Sequence, residues 1–401
     1  MKITKILINA ALFTSLLTNY ASAAGYSSNL TSTSALANSY AGSSTGIHDA
    51  SDMFFNPAIL ADINNTQFVA SFSYLDLDVD IDNLKQAGSP ATGSEISDAG
   101  EDAIIPALYY ATNISDKIDL GLAFTVPFGL ATKYNNDWGA KNESLENKIE
   151  AYNINPNFSY KINNKLAIGF GGQVQYMKSA FLKNTDIGGA KTYAQDWGYG
   201  YNFGLKYNID NNIKFGLGYR SKIDHKFAGY TRIKAANIRD KVNYKLTTPE
   251  SLSAGLSGNI NPKTQPAFDV IWNRWSRLNQ VNFIHDNSLL NEVTTFKWSD
   301  SFMYSLGLNY DYDNKLKIRS AIAYEKDSVS DAYRRFAVPT GDRIWTSLGL
   351  NYKLQKDLSI DITYLHQFHS SEKILNDNNN GYSANSKTNV NVLSLGFNKE
   401  F

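Results

Sequence analysis

The stretch Lys165-Leu166-Ala167-Ile168-Gly169-Phe170-Gly171-Gly172-Gln173-Val174-Gln175-Tyr176-Met177 decides the fold class. Leu166, Ile168, Phe170, Val174 and Tyr176 fall on one side of an extended chain, and Ala167, Gly169, Gly171, Gln173 and Gln175 on the other. A period of two is the mark of a strand with unlike faces. The pattern recurs at 197–209, where Tyr199, Tyr201, Phe203, Leu205 and Tyr207 share a face, and at 213–220, 302–312, 316–324, 344–354 and 358–368. A soluble sandwich would alternate in the same way, so alternation alone does not place the chain.

Three further features point to a barrel that crosses a membrane. The less apolar face is built of Gly and small polar residues, as suits a lumen. Tyr310, Tyr312, Tyr352, Tyr364, Trp272 and Trp275 sit near the ends of apolar runs, where interfacial girdles fall. Tight connections such as Asn163-Asn164, Asp210-Asn211-Asn212, Asp313-Asn314 and Gln355-Lys356-Asp357 alternate with long polar segments at 82–102, 134–148, 184–196, 229–247, 285–297, 328–340 and 371–387. Short periplasmic turns and long outer loops produce that rhythm.

The pattern predicts an all-β transmembrane antiparallel β-barrel of fourteen strands, at 66–80, 103–115, 117–128, 149–162, 165–183, 197–209, 213–229, 248–260, 264–284, 298–312, 315–328, 341–354, 358–370 and 388–401. Bacterial barrels take even numbers. The last strand carries Leu393, Leu395 and Phe397 and ends on Phe401, an aromatic terminus suited to the barrel-assembly machinery. Lys399 interrupts that apolar face and is expected to snorkel at the interface.

The chain before the barrel divides in two. Residues 1–23 read as a signal peptide: Lys2 and Lys5, an apolar run from Ile6 to Leu17, and Ala21-Ser22-Ala23 as the cleavage site. That run is too short to span a bilayer as a helix, which takes about 20 residues. Residues 24–64 lack alternation and are rich in Ser, Ala, Asn and Thr. Within them, Ser51 to Leu60 predicts one short helix with Asn56 as N-cap and Pro57 at its first position. Such a segment either hangs in the periplasm or plugs the lumen of the barrel at 65–401, which is too wide for its own side chains to fill.

Composition removes several classes. With no cysteine among 401 residues, thiol catalysis, disulfides and thiolate metal sites are excluded. Equal numbers of basic and acidic residues, 38 each, give no basic face for nucleic acid. No phosphate-binding Gly-rich loop or nucleophile elbow appears, and His366 with His369 lacks the spacing of a metal site. The reading is therefore of a non-enzyme without cofactor or metal.

Ala24-Gly25-Tyr26, Ala41-Gly42 and above all Asn56-Pro57-Ala58 resemble the N-terminal hatch of the outer-membrane long-chain fatty-acid and hydrophobic-compound transporters (the FadL family, OMPP1/FadL/TodX). Phe128-Gly129-Leu130-Ala131-Thr132-Lys133-Tyr134-Asn135 is similar to that family's segment at the end of its third strand. Val338-Pro339-Thr340-Gly341-Asp342-Arg343-Ile344-Trp345, with Ser347 and Gly349, resembles its Pro-Asp-x-Asp-Arg-x-Trp strand start. The resemblance spans nearly the whole mature chain. It implies a fourteen-stranded barrel plugged by the hatch, with hydrophobic ligand captured outside, held beside the hatch and released sideways through a kink in the third strand. Pro127, Phe128 and Gly129 are the kink residues, and Pro127 removes a ladder N–H there. By position Lys183 matches the family's basic residue facing the ligand carboxylate. Met53, Phe54, Phe55 and Ile59 are candidate apolar contacts. Arg220, Lys317, Arg319 and Arg343 also fall in the inward phase, where Asp311, Asp361 and Glu325 offer them structural partners. The implied partners are a fatty acid or other hydrophobic small molecule and the lipid of the outer membrane, with the chain a monomer. An aromatic-hydrocarbon channel, a general diffusion porin and a surface adhesin remain alternatives on the same barrel.

Overall fold

The computed structural model describes residues 25–93, 95, 96, 98–375 and 380–401. The expected signal peptide, at 1–23, lies outside them. Fourteen antiparallel strands follow in chain order. They are β1 (Gln67–Gln86), β2 (Ala103–Ser115), β3 (Ile118–Lys133), β4 (Glu146–Lys161), β5 (Leu166–Thr185) and β6 (Gly188–Asn208). Next come β7 (Ile213–Arg220 and Ile223–Ile233), β8 (Ile238–Thr248 and Ser251–Gly258) and β9 (Thr264–Asn273 and Gln280–His285), each interrupted once. The set is completed by β10 (Ser301–Asp311), β11 (Leu316–Lys326), β12 (Arg343–Gln355), β13 (Leu358–His369) and β14 (Tyr382–Glu400). Each strand pairs with the next, and β14 pairs with β1 from Gln67↔Glu400 to Gln86↔Tyr382, closing the barrel.

The tight turns have a local chemical cause. Asn163, Asp210 and Asp313 each accept hydrogen bonds from backbone amides two and three residues on, at 2.7–2.9 Å. This side-chain mimicry of a turn suits Asn and Asp.

Several long polar segments are not loops. Residues 188–196 belong to β6, 238–247 to β8 and 382–387 to β14. A tilted strand crosses a bilayer in about 9–11 residues, whereas β5 has 20 and β6 has 21. The excess stands beyond the membrane as paired hairpins. The outward face is wet there, so polar and charged residues replace the apolar ones of the membrane band, while inward residues such as Val242 and Tyr244 stay buried.

Alternation does set the two faces of the wall. Ile168, Phe170, Phe203, Leu306, Leu348 and Leu395 are exposed on the outside. Inward positions hold Ser, Asn, Gln, Gly and charged residues that find partners in the lumen. Lys399 reaches Asp357 across the adjacent strand and lies 5.8 Å from the Phe401 ring centre, which satisfies its charge at the rim. Trp275, read as part of a girdle, is instead buried in the lumen, because it sits on the turn that interrupts β9.

Lumenal charges pair across strands. Arg319 of β11 bonds Asp361 of β13, whose other oxygen accepts from Asn351 Nδ2 at 2.9 Å. Arg343 bonds Glu325 at 2.6 Å and Lys317 lies 3.6 Å from Asp311. Removing one member of a buried pair strands the other. Asp361→Ala is therefore expected to lower the unfolding free energy by about 3–5 kcal/mol, read from urea titration of the refolded barrel by tryptophan fluorescence.

Candidate functional site

The N-terminal segment fills the lumen. A helical turn, α1 (Thr33–Leu36), is capped by Ser32. The predicted single helix is two 3-10 turns, Ala50–Phe54 and Pro57–Asp62, split at Asn56. Asn56 is fully buried and uses its whole amide. Oδ1 accepts from Ala58 N at 2.9 Å, and Nδ2 donates to Ser44 O at 2.7 Å and to Leu205 O on β6 at 3.0 Å. Pro57 follows as the first residue of the second turn, where its missing N–H is harmless.

The wall accommodates this segment with glycines. A Cβ on Gly204 would lie 1.9 Å from Asn56 Oδ1 and 2.8 Å from Pro57 Cδ, and one on Gly169 only 2.3 Å from Ala58 N. A Cβ on Gly216 or on Gly218 of β7 would likewise collide with the carbonyl oxygen of Ser44 or of Phe55, at 1.8 Å. Thus the Asn56-Pro57-Ala58 motif and a bare patch on β5–β7 are complementary surfaces. Two strands further round, on β9, Asp269 accepts from the Gly42 and Ser44 amides at 2.5 and 3.1 Å. At the short-turn end Asp62 is held by Lys206 and by Lys214.

Between β2 and β3 the wall is open. Their ladder runs from Ser115↔Ile118 only to Leu108↔Phe124. Residues 103–107 of β2 pair with β1 alone. On its other edge β3 carries a bulge: Thr125↔Asn153 is followed by Phe128↔Ala151, so Val126 and Pro127 oppose one residue of β4. A bulge bends its strand away from the neighbour, and Pro106 and Pro127 leave an N–H missing on each side of the opening. The N-terminal segment lines the inner side of the gap. Ser28 N donates to Pro127 O and Gly129 N to Tyr26 O, both at 3.0 Å. Of the expected kink residues, Pro127 lies in the bulge, and Phe128 and Gly129 follow it in register with Ala151 and Glu150. The sequence reading missed Pro106, although a proline inside a predicted strand was a visible signal.

An aromatic cluster occupies the lumen beside this opening. Tyr26 lies 4.7 Å from Trp275 and 5.8 Å from Phe128 between ring centres, and Trp298 lies 5.2 Å from Trp275. Phe227, Tyr244 and Phe283 continue it at 4.7 Å spacings. Phe54, Phe55, Pro127 and Phe128 also border a cavity of about 50 Å³. Met53 and Ile59 are buried in the core of the plug and do not line that cavity. Lys183 stands near the long-loop end of β5, half-exposed, with Nζ 2.7 Å from Glu292 Oε2. The basic group that the structure brings to the cavity is Arg220 at the break in β7.

Over the long-loop end, the segment joining β11 and β12 carries two buried acids. Asp327 accepts from Gly25 N at 3.3 Å, and Asp342 accepts from Tyr324 Oη at 2.5 Å and Asp327 N at 2.8 Å. Burial raises both carboxyls to about 7. In the unfolded chain they titrate near 3.9, so between those values the folded segment holds protons that the unfolded chain releases. Its stability therefore falls as pH rises through that window and levels off above it. Amides of residues 327–342, corrected for chemical exchange, are expected to exchange faster at about pH 7.5 than at about pH 5, as hydrogen–deuterium exchange would show.

A closed fourteen-stranded barrel with a lumenal plug and a gapped wall defines the class: a plugged β-barrel of the outer membrane. The sequence profile described as outer membrane protein transport protein (OMPP1/FadL/TodX) matches residues 14–401. The chain belongs to that family and is an outer-membrane protein. It is 26% identical over 396 residues to outer membrane protein P1 of Haemophilus influenzae, with 86% of each chain covered. It is 24% identical over 446 residues to the long-chain fatty acid transport protein of Escherichia coli K12, covering 98% of this chain and 97% of the other. Among solved structures, a Pseudomonas aeruginosa FadL homologue superposes with a TM-score of 0.87 at 20% identity, covering 94% of this chain and all of that one. The Pseudomonas putida toluene transporter TodX reaches 0.72 at 17% identity, covering 92% of this chain and 98% of that one. At those identities the two structures speak for the fold.

Proposed function

We propose that the chain carries long-chain fatty acids or other hydrophobic compounds passively into the outer membrane. Cargo is captured at the long-loop end, held by the aromatic cluster against the hatch, and released sideways between β2 and β3. The observation that carries this reading is the unpaired stretch facing 103–107 of β2, which opens beside the cluster at Phe128. A lateral exit fits cargo that leaves water at a gain of about 0.8 kcal/mol per methylene buried. The similarity to proteins named for long-chain fatty acid transport supports the cargo class.

The same reading takes residues 1–23 as the leader, 24–64 as the hatch and 65–401 as the barrel. In it the protein is a monomer in outer-membrane lipid, recognised for assembly through Phe401, with no cofactor, metal or catalytic step. The test is uptake of radiolabelled oleate by cells with and without the protein. Higher uptake with it supports the proposal, and equal uptake overturns it. Swelling of proteoliposomes in small sugars would favour a diffusion porin, a reading that the packed lumen disfavours.

A further inference from the structure

Beyond the membrane band, the hairpin of β7 and β8 carries an outer face of one charge sign. Where 226–232 pairs with 239–245, the outward positions are Lys226, Ala228, Tyr230 and Arg232 on β7, and Arg239, Lys241, Asn243 and Lys245 on β8. Five are cations and none is an acid. Register sets like charges directly opposite each other, Lys226 against Lys245 and Arg232 against Arg239. Opposed like charges destabilise a sheet. On the neighbouring strands cations are neutralised: Lys178 lies 2.8 Å from Glu150 and Lys191 2.7 Å from Glu146. At the membrane end of the face, Asp224 is held by Lys222 at 2.6 Å and by Thr247 Oγ1 at 2.7 Å. Among the described residues none of the five cations meets a carboxylate. Arg239 lies over Tyr230, 4.3 Å from the ring centre. The inward residues of the same strands, Phe227, Val242 and Tyr244, are buried, so the hairpin is well packed and only its outer face is unmatched. Local rules are broken in this way mainly where function needs it.

The position of the face names its partner. Beside it, the outward residues of β6 pass from the apolar band of Phe203, Tyr201, Tyr199 and Trp197 to Gln195 and Tyr193. Ala228 pairs with Gln195 and Tyr230 with Tyr193, so Lys226 stands level with Trp197 at the edge of the band. Arg232 lies about 20 Å farther out along the strand, at 3.3–3.4 Å per residue. The long-loop end faces away from the cell. There the outer leaflet is built of a glycolipid that carries several acyl chains and phosphates on a sugar scaffold. Its phosphates begin where its acyl chains end, the level at which this row of cations starts. Below the row, Ile168, Phe170, Phe203, Leu217 and Tyr219 of β5–β7 border an apolar groove of about 350 Å³ on the outer wall. Acyl chain fits that groove, and its upper rim at Tyr219 is on the strand that continues into the cations.

We propose that the outer face of β6–β8 binds the phosphorylated glycolipid of the outer leaflet, with the five cations on its phosphates and the groove below seating an acyl chain. The proposal goes beyond transport and holds whatever the channel carries. Arg232 and Arg239 match phosphate with two parallel N–H donors each, and Lys226, Lys241 and Lys245 add point charges. Phosphate supplies the missing counter-charge and turns the repulsion between Lys226 and Lys245 into a shared grip. A phospholipid's single phosphate reaches one end of the row, whereas several phosphates on a sugar scaffold reach more of it.

The test titrates the purified barrel in detergent with bisphosphorylated lipid A, with the same lipid stripped of its phosphates, and with phosphatidylglycerol. Bound lipid is counted by native mass spectrometry. The native chain is expected to bind lipid A roughly tenfold or more tighter than either other lipid. Lys226→Gln combined with Lys245→Gln should weaken lipid A binding about 25-fold, from about fivefold for each basic residue at an anionic lipid surface. It should leave binding of the stripped lipid unchanged. Lys165→Gln combined with Lys315→Gln, at the short turns, should alter neither. Equal binding of lipid A and its stripped form by the native chain overturns the proposal. So does undiminished lipid A binding by the Lys226 and Lys245 variant, or an equal loss in the short-turn variant. Phosphatidylglycerol held as tightly as lipid A overturns the assignment to the glycolipid. Should the Lys226 and Lys245 variant fail to assemble, judged by heat-modifiable gel mobility, the comparison of the lipids on the native chain still decides.

Discussion

Deletion of Pro127 is expected to bring oleate uptake down to that of cells lacking the protein, with the barrel still assembled in the outer membrane. The register of β3 dictates this outcome. Val126 and Pro127 stand opposite the single residue between Ala151 and Asn153, so removing one residue makes the pairing with β4 one-to-one. Phe128 already pairs with Ala151, and the facing of every flanking side chain is preserved. Without the bulge and with an N–H restored, β3 can extend its ladder along 103–107 of β2. Each new backbone bond adds about 0.5–1.5 kcal/mol net, so the variant should unfold no more readily than the native chain. Full uptake by a correctly assembled variant would remove the gap from the transport path.

The second large effect is expected at the glycine patch. A side chain at Gly204 meets Asn56 Oδ1 and Pro57 Cδ within van der Waals contact, as Gly169 would meet Ala58 N. Overpacking of this kind strains a site by about 1–3 kcal/mol. The barrel wall is tied by continuous backbone ladders on both sides, whereas the plug is held to it mostly through side chains, so the plug is what moves. Gly204→Val should therefore turn a closed channel into one that passes small sugars in a liposome-swelling assay. Gly172→Ala is the matched control, since a Cβ there meets nothing within 4 Å. Unchanged swelling by an assembled Gly204→Val barrel would mean that the hatch does not rest on this patch.

The strand number and order were legible because each membrane crossing imposes the same period-two code on the residues in it. Where strands leave the bilayer the outward face turns polar and charged, and for that reason the hairpins at 188–196 and 238–247 read as loops. The bulge in β3 has a local cue in Pro127, whereas Gly129 pairs regularly with Glu150. The charge pattern has no such cue. Arg319 and Asp361 are 42 residues apart and two strands away, and only register shows that they meet while Arg220 finds only amides. Lys183 falls in a fitting sequence position, yet its strand projects far enough above the cavity for Glu292 to take its charge. Trp275 carried the composition of a girdle residue and the position of a lumenal one, because its strand breaks beside it.

The central claim is that cargo leaves through the wall. A fatty acid with a diazirine at its methyl end, photolysed in cells carrying the native protein, tests it directly. Labelling of residues 103–107 of β2 and 125–130 of β3, lost on deletion of Pro127, is the predicted result. Labelling that instead follows the hatch down to Asp62 and the short turns would contradict a lateral exit and place the path along the barrel axis.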